Sequence, residues 1–139
     1  MTVNKETSDK QLNKLLKQLK IDNFIIIRKN QLPSLLKQDA AQRASISKNL
    51  PKFNNFIINF DSKGPGTHWV ALNKEHKLYF DPYGQAPPIE IPKDYKFSHN
   101  IIEGINDQDC GQLCCLWLYY VNYENPQKFY KLFAKLYTT

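Results

Sequence analysis

Leucine recurs at positions 12, 15, 16 and 19, with lysines largely on the other side. This i, i+3, i+4, i+7 spacing predicts an amphipathic helix over 9–20 with Ser8 as its cap. The period then changes. Phe24-Ile25-Ile26-Ile27 reads as a short strand, Leu32-Pro33 breaks whatever follows, and 34–50 is polar and ambiguous. Phe56-Ile57-Ile58-Asn59-Phe60 predicts a buried strand ending in the loop Asp61-Ser62-Lys63-Gly64-Pro65-Gly66. His68-Trp69-Val70-Ala71-Leu72, a turn at 73–76 and Lys77-Leu78-Tyr79-Phe80-Asp81 follow as a hairpin. Pro82, Gly84, Pro87, Pro88 and Pro92 hold the next segment open, with 88–91 briefly extended. Helical character returns over 110–123. Asn125-Pro126 then supplies the cap and first position of another helix, with Phe129, Leu132, Phe133 and Leu136 at helical spacing. A helix, a cluster of strands and then helices predict an α+β fold, in which an antiparallel or mixed central sheet packs against helices.

Composition narrows the class. A chain of 139 residues, 42% hydrophobic and 13% aromatic, is expected to form one globular domain over 1–139. The longest hydrophobic run, 113–121, is nine residues, where a membrane span needs roughly 20. The polar start MTVNKETSDK lacks an apolar signal region, so a soluble, intracellular monomer without a membrane partner is the expectation. All three cysteines lie within six positions, and two are adjacent. They cannot staple distant loops, and a reducing compartment suits them better than a disulfide framework.

The net charge of +6 is uneven: residues 1–50 hold 10 Lys/Arg against 4 Asp/Glu, and 51–139 hold 9 of each. One reading is a solvated basic surface. The other is a polyanion contact such as DNA through residues 1–50, with Lys14, Lys17, Lys20, Arg28 and Lys29 as its first candidates.

The candidate chemistry lies in the hairpin and the hydrophobic helix. With a four-residue loop, Leu72 is expected opposite Lys77 and His68 opposite Asp81. Directly opposed side chains have Cβ atoms about 4.5–5.5 Å apart, close enough for a carboxylate to hold an imidazole. A slip of one residue would separate them onto opposite faces. Cys110 precedes Gly111 and is expected to open its helix, where backbone amides and the helix dipole favour a thiolate. Gly111 is read as keeping bulk away from that sulfur. Cys114 and Cys115 read as small buried hydrophobes, and His76 and His99 as turn and loop residues. A zinc site is disfavoured, because C-x3-CC is a poor match to structural zinc spacing, and no metal is expected.

The motifs "GTHWVAL", "YFDPYG" and "DCGQLCCLWL", in that order, together with the early "LLKQLKIDNFIIIRKNQLP", resemble the adenovirus-type maturation cysteine proteases and their relatives in virophages and Polinton-like elements. More distantly they resemble the SUMO-specific proteases. The resemblance spans most of the chain. It implies the cysteine-protease fold of that group, with His68 as general base, Asp81 as its orienting acid, Cys110 as nucleophile and Trp69 as the aromatic that follows the histidine. It implies an endopeptidase packaged in a virus particle and acting on capsid or core precursor proteins during maturation.

Two departures follow from the same resemblance. The family places a glutamine before the cysteine as an oxyanion donor, and this chain has Glu103, with Asn106 and Gln108 as the nearest amides. Either a protonated Glu103 donates, or Asn106 or Gln108 takes over, or the Cys110 amide works with less help. The second is favoured. The extra cysteine through which adenovirus proteases bind an activating peptide is missing before Cys110, so no covalent peptide cofactor is expected and no cofactor is required. Stimulation by DNA stays open. Two rival readings stand beside this one: a protease of ubiquitin-like proteins, and a catalytically silent basic module that binds nucleic acid or capsid.

Overall fold

Alternation along His68–Asn73 sends Trp69 and Ala71 to one side and Val70 and Leu72 to the other, and all four are buried. This strand, β3, lies at the centre of a mixed five-stranded sheet in a computed structural model, which describes residues 9–33, 53–60, 68–98 and 107–137. β1 (Phe24–Arg28) runs parallel to β2 (Asn55–Phe60). β2, β3 and β4 (Leu78–Phe80) are antiparallel, and the edge strand β5 (Lys96–Phe97) is parallel to β4.

Three helices cover the face that carries Trp69, Ala71, Ile57 and Phe80: α1 (Asp9–Gln18), α2 (Asp107–Tyr123) and α3 (Pro126–Tyr137). The expected α+β class, with sheet against helices, is what the chain forms. α2 packs on β3 and touches both other helices. It is apolar nearly all round because it is the inner helix, and Leu113, Cys114, Cys115, Trp117, Leu118 and Val121 are all buried. Phe80 stacks on Trp117 with centroids 5.4 Å apart and meets Phe129 edge-on at 5.2 Å, contacts that add about 0.5–1.5 kcal/mol each beyond area burial. The opposite face is buried too. There Phe56, Ile58, Val70, Leu72 and Tyr79 pack against Leu32 and against Ile91 and Tyr95 of the proline-rich segment.

α1 buries Leu12 and Leu16 completely, with Leu15 and Leu19 half-buried beside them, as the leucine spacing requires. It ends without glycine: Lys20 takes a left-handed conformation (φ 59°), donating its N–H to the Lys17 carbonyl while the Ile21 N–H reaches the Leu16 carbonyl. Ile21 then folds back into the core. α3 starts as expected, with the Asn125 side chain accepting the Gln127 N–H at 2.9 Å and Pro126 in the first position.

An amide cluster, buried at Asn55 and Asn73, joins these layers. Asn55 Oδ1 accepts from the side-chain amides of Asn73 and Asn122, both at 2.9 Å, and Asn55 Nδ2 donates to the Asp22 carbonyl at 2.8 Å. It ties β2, β3, α2 and the turn before β1 together.

Several expectations are corrected. The hairpin pairs Asn73 with Leu78, so the loop is 74–77 and Leu72 faces Tyr79, not Lys77. The Asn73 side chain sets this turn by accepting the His76 N–H at 2.9 Å, and Lys77 closes it at φ 53°. Residues 88–91 form a turn, closed by the Ile91 N–H on the Pro88 carbonyl, and the extended piece of this segment is β5. α2 begins at Asp107, because acidic residues suit a first helical turn as well as apolar ones suit the rest. On α3, Leu132 is exposed and Tyr130 occupies the inner position, its hydroxyl accepting the Trp117 indole N–H at 3.1 Å. The Ser8 cap, the 34–50 segment, the 61–66 loop and His99 lie outside the described residues.

Candidate active site

The two-residue slip of the hairpin preserves parity, so His68 and Asp81 still share a face. They meet diagonally, with His68 Nε2 at 3.0 Å from Asp81 Oδ2. Asp81 is buried, and its other oxygen accepts the Tyr83 N–H at 2.8 Å, which fixes the carboxylate plane. The imidazole is bracketed by two rings: Phe60, paired with it across β2–β3, at 5.5 Å, and Tyr83 at 5.1 Å. Lys29 lies over the far ring, 5.1 Å from the Phe60 centroid.

α2 brings the thiol. Cys110 Sγ is 3.8 Å from His68 Nδ1, the ring nitrogen that Asp81 leaves free. The same sulfur lies 3.0 Å from the Trp69 carbonyl oxygen and 3.4 Å from the Trp69 N–H. Cys110 is the fourth residue of α2 and does not open it, so it sits at the end of the first turn. Gly111 has a packing task besides the one expected of it. A Cβ there would meet Leu12 Cδ2 at 3.0 Å, Leu12 Cδ1 at 3.2 Å and Trp69 Cδ1 at 3.3 Å. Its bare backbone lets α2 approach α1 and the Trp69 ring, and so places the neighbouring sulfur against the Trp69 main chain.

Electrostatics follow from these contacts. Burial alone would pull the His68 pKa down, but the Asp81 hydrogen bond, the Cys110 hydrogen bond and the charges of both raise it to about 9. The Cys110 pKa is lowered to about 6, first by a hydrogen bond from Cys114. Burial opposes this, and the His68 hydrogen bond, the Trp69 main chain and the His68 charge reinforce it. The thiol therefore loses its proton below the pH at which the imidazole loses its own. At neutral pH the pair is a thiolate beside an imidazolium, the state in which sulfur attacks carbonyl carbon.

Burial pushes the Cys114 thiol up and holds Cys115 at about 12, so both keep their protons at neutral pH. Cys115 fits its expected place as a small buried hydrophobe, and all three cysteines are free. Cys114 does more, since its sulfur is 3.4 Å from the Trp69 carbonyl that also holds Cys110. No group of three or more His, Cys, Asp or Glu side chains among the described residues is placed to hold a metal, and no described helix is long and apolar enough to cross a membrane. His76 sits in the hairpin turn. Lys14, Lys17, Lys20 and Arg28 are exposed, while Lys29 is half-buried on Phe60. Glu103 and Asn106 lie outside the described residues. Gln108 lies in the first turn of α2, with its side chain undescribed.

Sequence reading passed over Tyr83 and Phe60. The signal for Tyr83 was present in Asp-Pro-Tyr-Gly, a sequence suited to an aspartate that accepts a hydrogen bond from the backbone two residues on. Phe60 could have been reached only through the β2–β3 register.

No protein-family model matches the chain, and no curated protein does either. Among solved structures, it is similar to the C-terminal Ulp1 protease domain in complex with Smt3, the yeast ortholog of SUMO, at 12% identity and TM-score 0.45 over 94% of this chain and 76% of that one. The SUMO protease Ulp1 with its catalytic cysteine oxidized to a sulfenic acid is similar at 13% identity and TM-score 0.43, over the same shares. The central domain of a Legionella pneumophila protein is similar at 15% identity and TM-score 0.36, over 82% of this chain and 78% of that one. Likeness at this level adds no argument about activity. Ulp1 belongs to the more distant of the two resemblances drawn from the motifs, and none of these structures bears on particle maturation.

Proposed function

We propose that this chain is a cysteine endopeptidase working through Cys110, His68 and Asp81. The observation that carries the reading is the relay in which Asp81 holds one imidazole nitrogen at 3.0 Å and the Cys110 sulfur lies 3.8 Å from the other. In this reading the Cys110 thiolate attacks the scissile carbonyl carbon and forms an acyl-enzyme. His68 gives its Nδ1 proton to the leaving amine, and a water deprotonated by His68 then releases the acid. The oxyanion is held by the Cys110 backbone N–H with a side chain from Gln108, Asn106 or Glu103. Loss of such a donor costs roughly 100- to 1,000-fold in turnover.

The substrate is a protein, and two classes share this chemistry. Processing of capsid or core precursors of a virus particle is supported by the closer motif resemblance. Cleavage of ubiquitin-like proteins from their conjugates is supported by the more distant one. The experiment treats candidate precursors and SUMO and ubiquitin fusions with the wild type and Cys110→Ala, with and without DNA, and maps the cuts by mass spectrometry. Cleavage of either class that vanishes in Cys110→Ala supports the peptidase and selects its substrate. A folded wild type that cuts neither class, and binds DNA with strong salt dependence, replaces it with the silent basic module.

A further inference from the structure

Cys110 and Cys114 lie one turn apart on α2, and both sulfurs converge on one acceptor, the Trp69 carbonyl, at 3.0 and 3.4 Å. With both sulfurs within 3.4 Å of the same oxygen, the two side chains lie side by side between α2 and β3. Cys114 is fully buried, so no water competes for its S–H. While Cys110 keeps its proton, two thiols share one carbonyl. Once Cys110 gives its proton up, its sulfur can only accept, and the donors around it are the Trp69 N–H at 3.4 Å, protonated His68 and Cys114.

We propose that Cys114 is a positioning residue, whose S–H turns from the Trp69 carbonyl to the deprotonated Cys110 sulfur and holds it for attack. The inference rests on the peptidase reading for its purpose but not for its measurement. A small thiol is suited to this place. It donates weakly, fits between helix and strand, and stays protonated because burial raises its own pKa. Among the described residues, the titratable groups around the Cys110 sulfur are His68 from β3, Asp81 beyond β4, Cys114 from α2 itself, and Tyr79 of β4, which burial keeps neutral. From α1, the Leu12 side chain packs against α2 at Gly111. Asp81 and Tyr79 act at longer range, so removing Cys114 leaves His68 and the Trp69 main chain as the direct partners.

The test is the pH dependence of Cys110 alkylation by iodoacetamide, mapped to that residue by mass spectrometry, in the wild type, Cys114→Ala, Cys114→Ser and Cys115→Ala. Losing one donor to the thiolate should raise the midpoint in Cys114→Ala by about one pH unit, a tenfold loss of reactivity on the acid side. Cys114→Ser, which retains a donor, should restore most of it, and Cys115→Ala should leave the midpoint where it was. An unchanged midpoint in Cys114→Ala overturns the proposal, as does an equal shift in Cys114→Ser or Cys115→Ala. Absent proteolysis together with the expected shifts removes the peptidase and leaves the positioning role standing. Proteolysis without the shifts does the reverse.

Discussion

His68 and Asp81 meet across a diagonal at the end of the β3–β4 hairpin, 3.0 Å apart at Nε2 and Oδ2, and the turn after β4 brings Tyr83 against the histidine. Tyr83 thus serves both partners, with its ring against the imidazole and its backbone N–H on the carboxylate. Asp81→Asn should keep the fold and lower turnover by roughly 100- to 10,000-fold, the range of a disabled acid–base partner. It should also move the alkaline limit of activity to lower pH, because Asp81 holds the His68 pKa up. Steady-state rates across pH for the two proteins check both outcomes.

Hydrolysis should follow a bell-shaped pH profile. The thiolate appears as pH rises through about 6, and the imidazolium that protonates the leaving amine disappears as pH rises through about 9. The two limbs belong to the pair and not to either residue alone. Alkylation of Cys110 needs only the thiolate, so its rate should rise through the acid limb and stay high where hydrolysis falls. Parallel profiles from the two assays would contradict the assignment.

Gly111→Ala opposes two effects. Alanine in a helix interior is favoured over glycine by about 1 kcal/mol. Here the added Cβ meets Leu12 and Trp69, both buried, at 3.0–3.3 Å, and overpacking of this kind costs about 1–3 kcal/mol. The net result should be a loss of about 1 kcal/mol in urea unfolding, smaller when Leu12→Ala is already present. A stabilised Gly111→Ala would mean that α1 yields freely.

Asn55→Ala leaves the Asn73 amide without its acceptor and the Asp22 carbonyl without its donor, while Asn122 Nδ2 keeps the Leu118 carbonyl at 2.7 Å. Stranded polar groups of this kind cost about 1–3 kcal/mol each. The urea midpoint should fall by more than in Asn122→Ala, which removes one donor at the cluster's partly exposed end, with the denaturant slope unchanged in both.

Much of this arrangement is legible in the sequence, because its signals are local. The leucine stripe of α1, the Asn125-Pro126 start of α3 and the short β strands are periodicity and capping, which neighbouring residues decide. The juxtaposition of His68 and Asp81 holds under either register, because a slip of two keeps every side chain on its face. What stayed hidden depends on distant partners. The turn that sets the register is fixed by the Asn73 side chain on His76. Cys114 looks like any buried cysteine until β3 places the Trp69 carbonyl beside it. The packing task of Gly111 depends on Leu12, which arrives from α1.

In the proposed peptidase the base and its acid lie 13 residues apart on one hairpin, whereas the nucleophile lies 42 residues beyond the base. During synthesis the hairpin can close early, yet the chain has no reactive sulfur near it until α2 has been made and has docked on β3. Ribosomes add about 5–20 residues per second, so a nascent chain carries an idle acid–base pair for seconds before a thiol joins it. On that reading the competence to cut is timed by the docking of one helix, and a polypeptide still emerging is protected from its own chemistry.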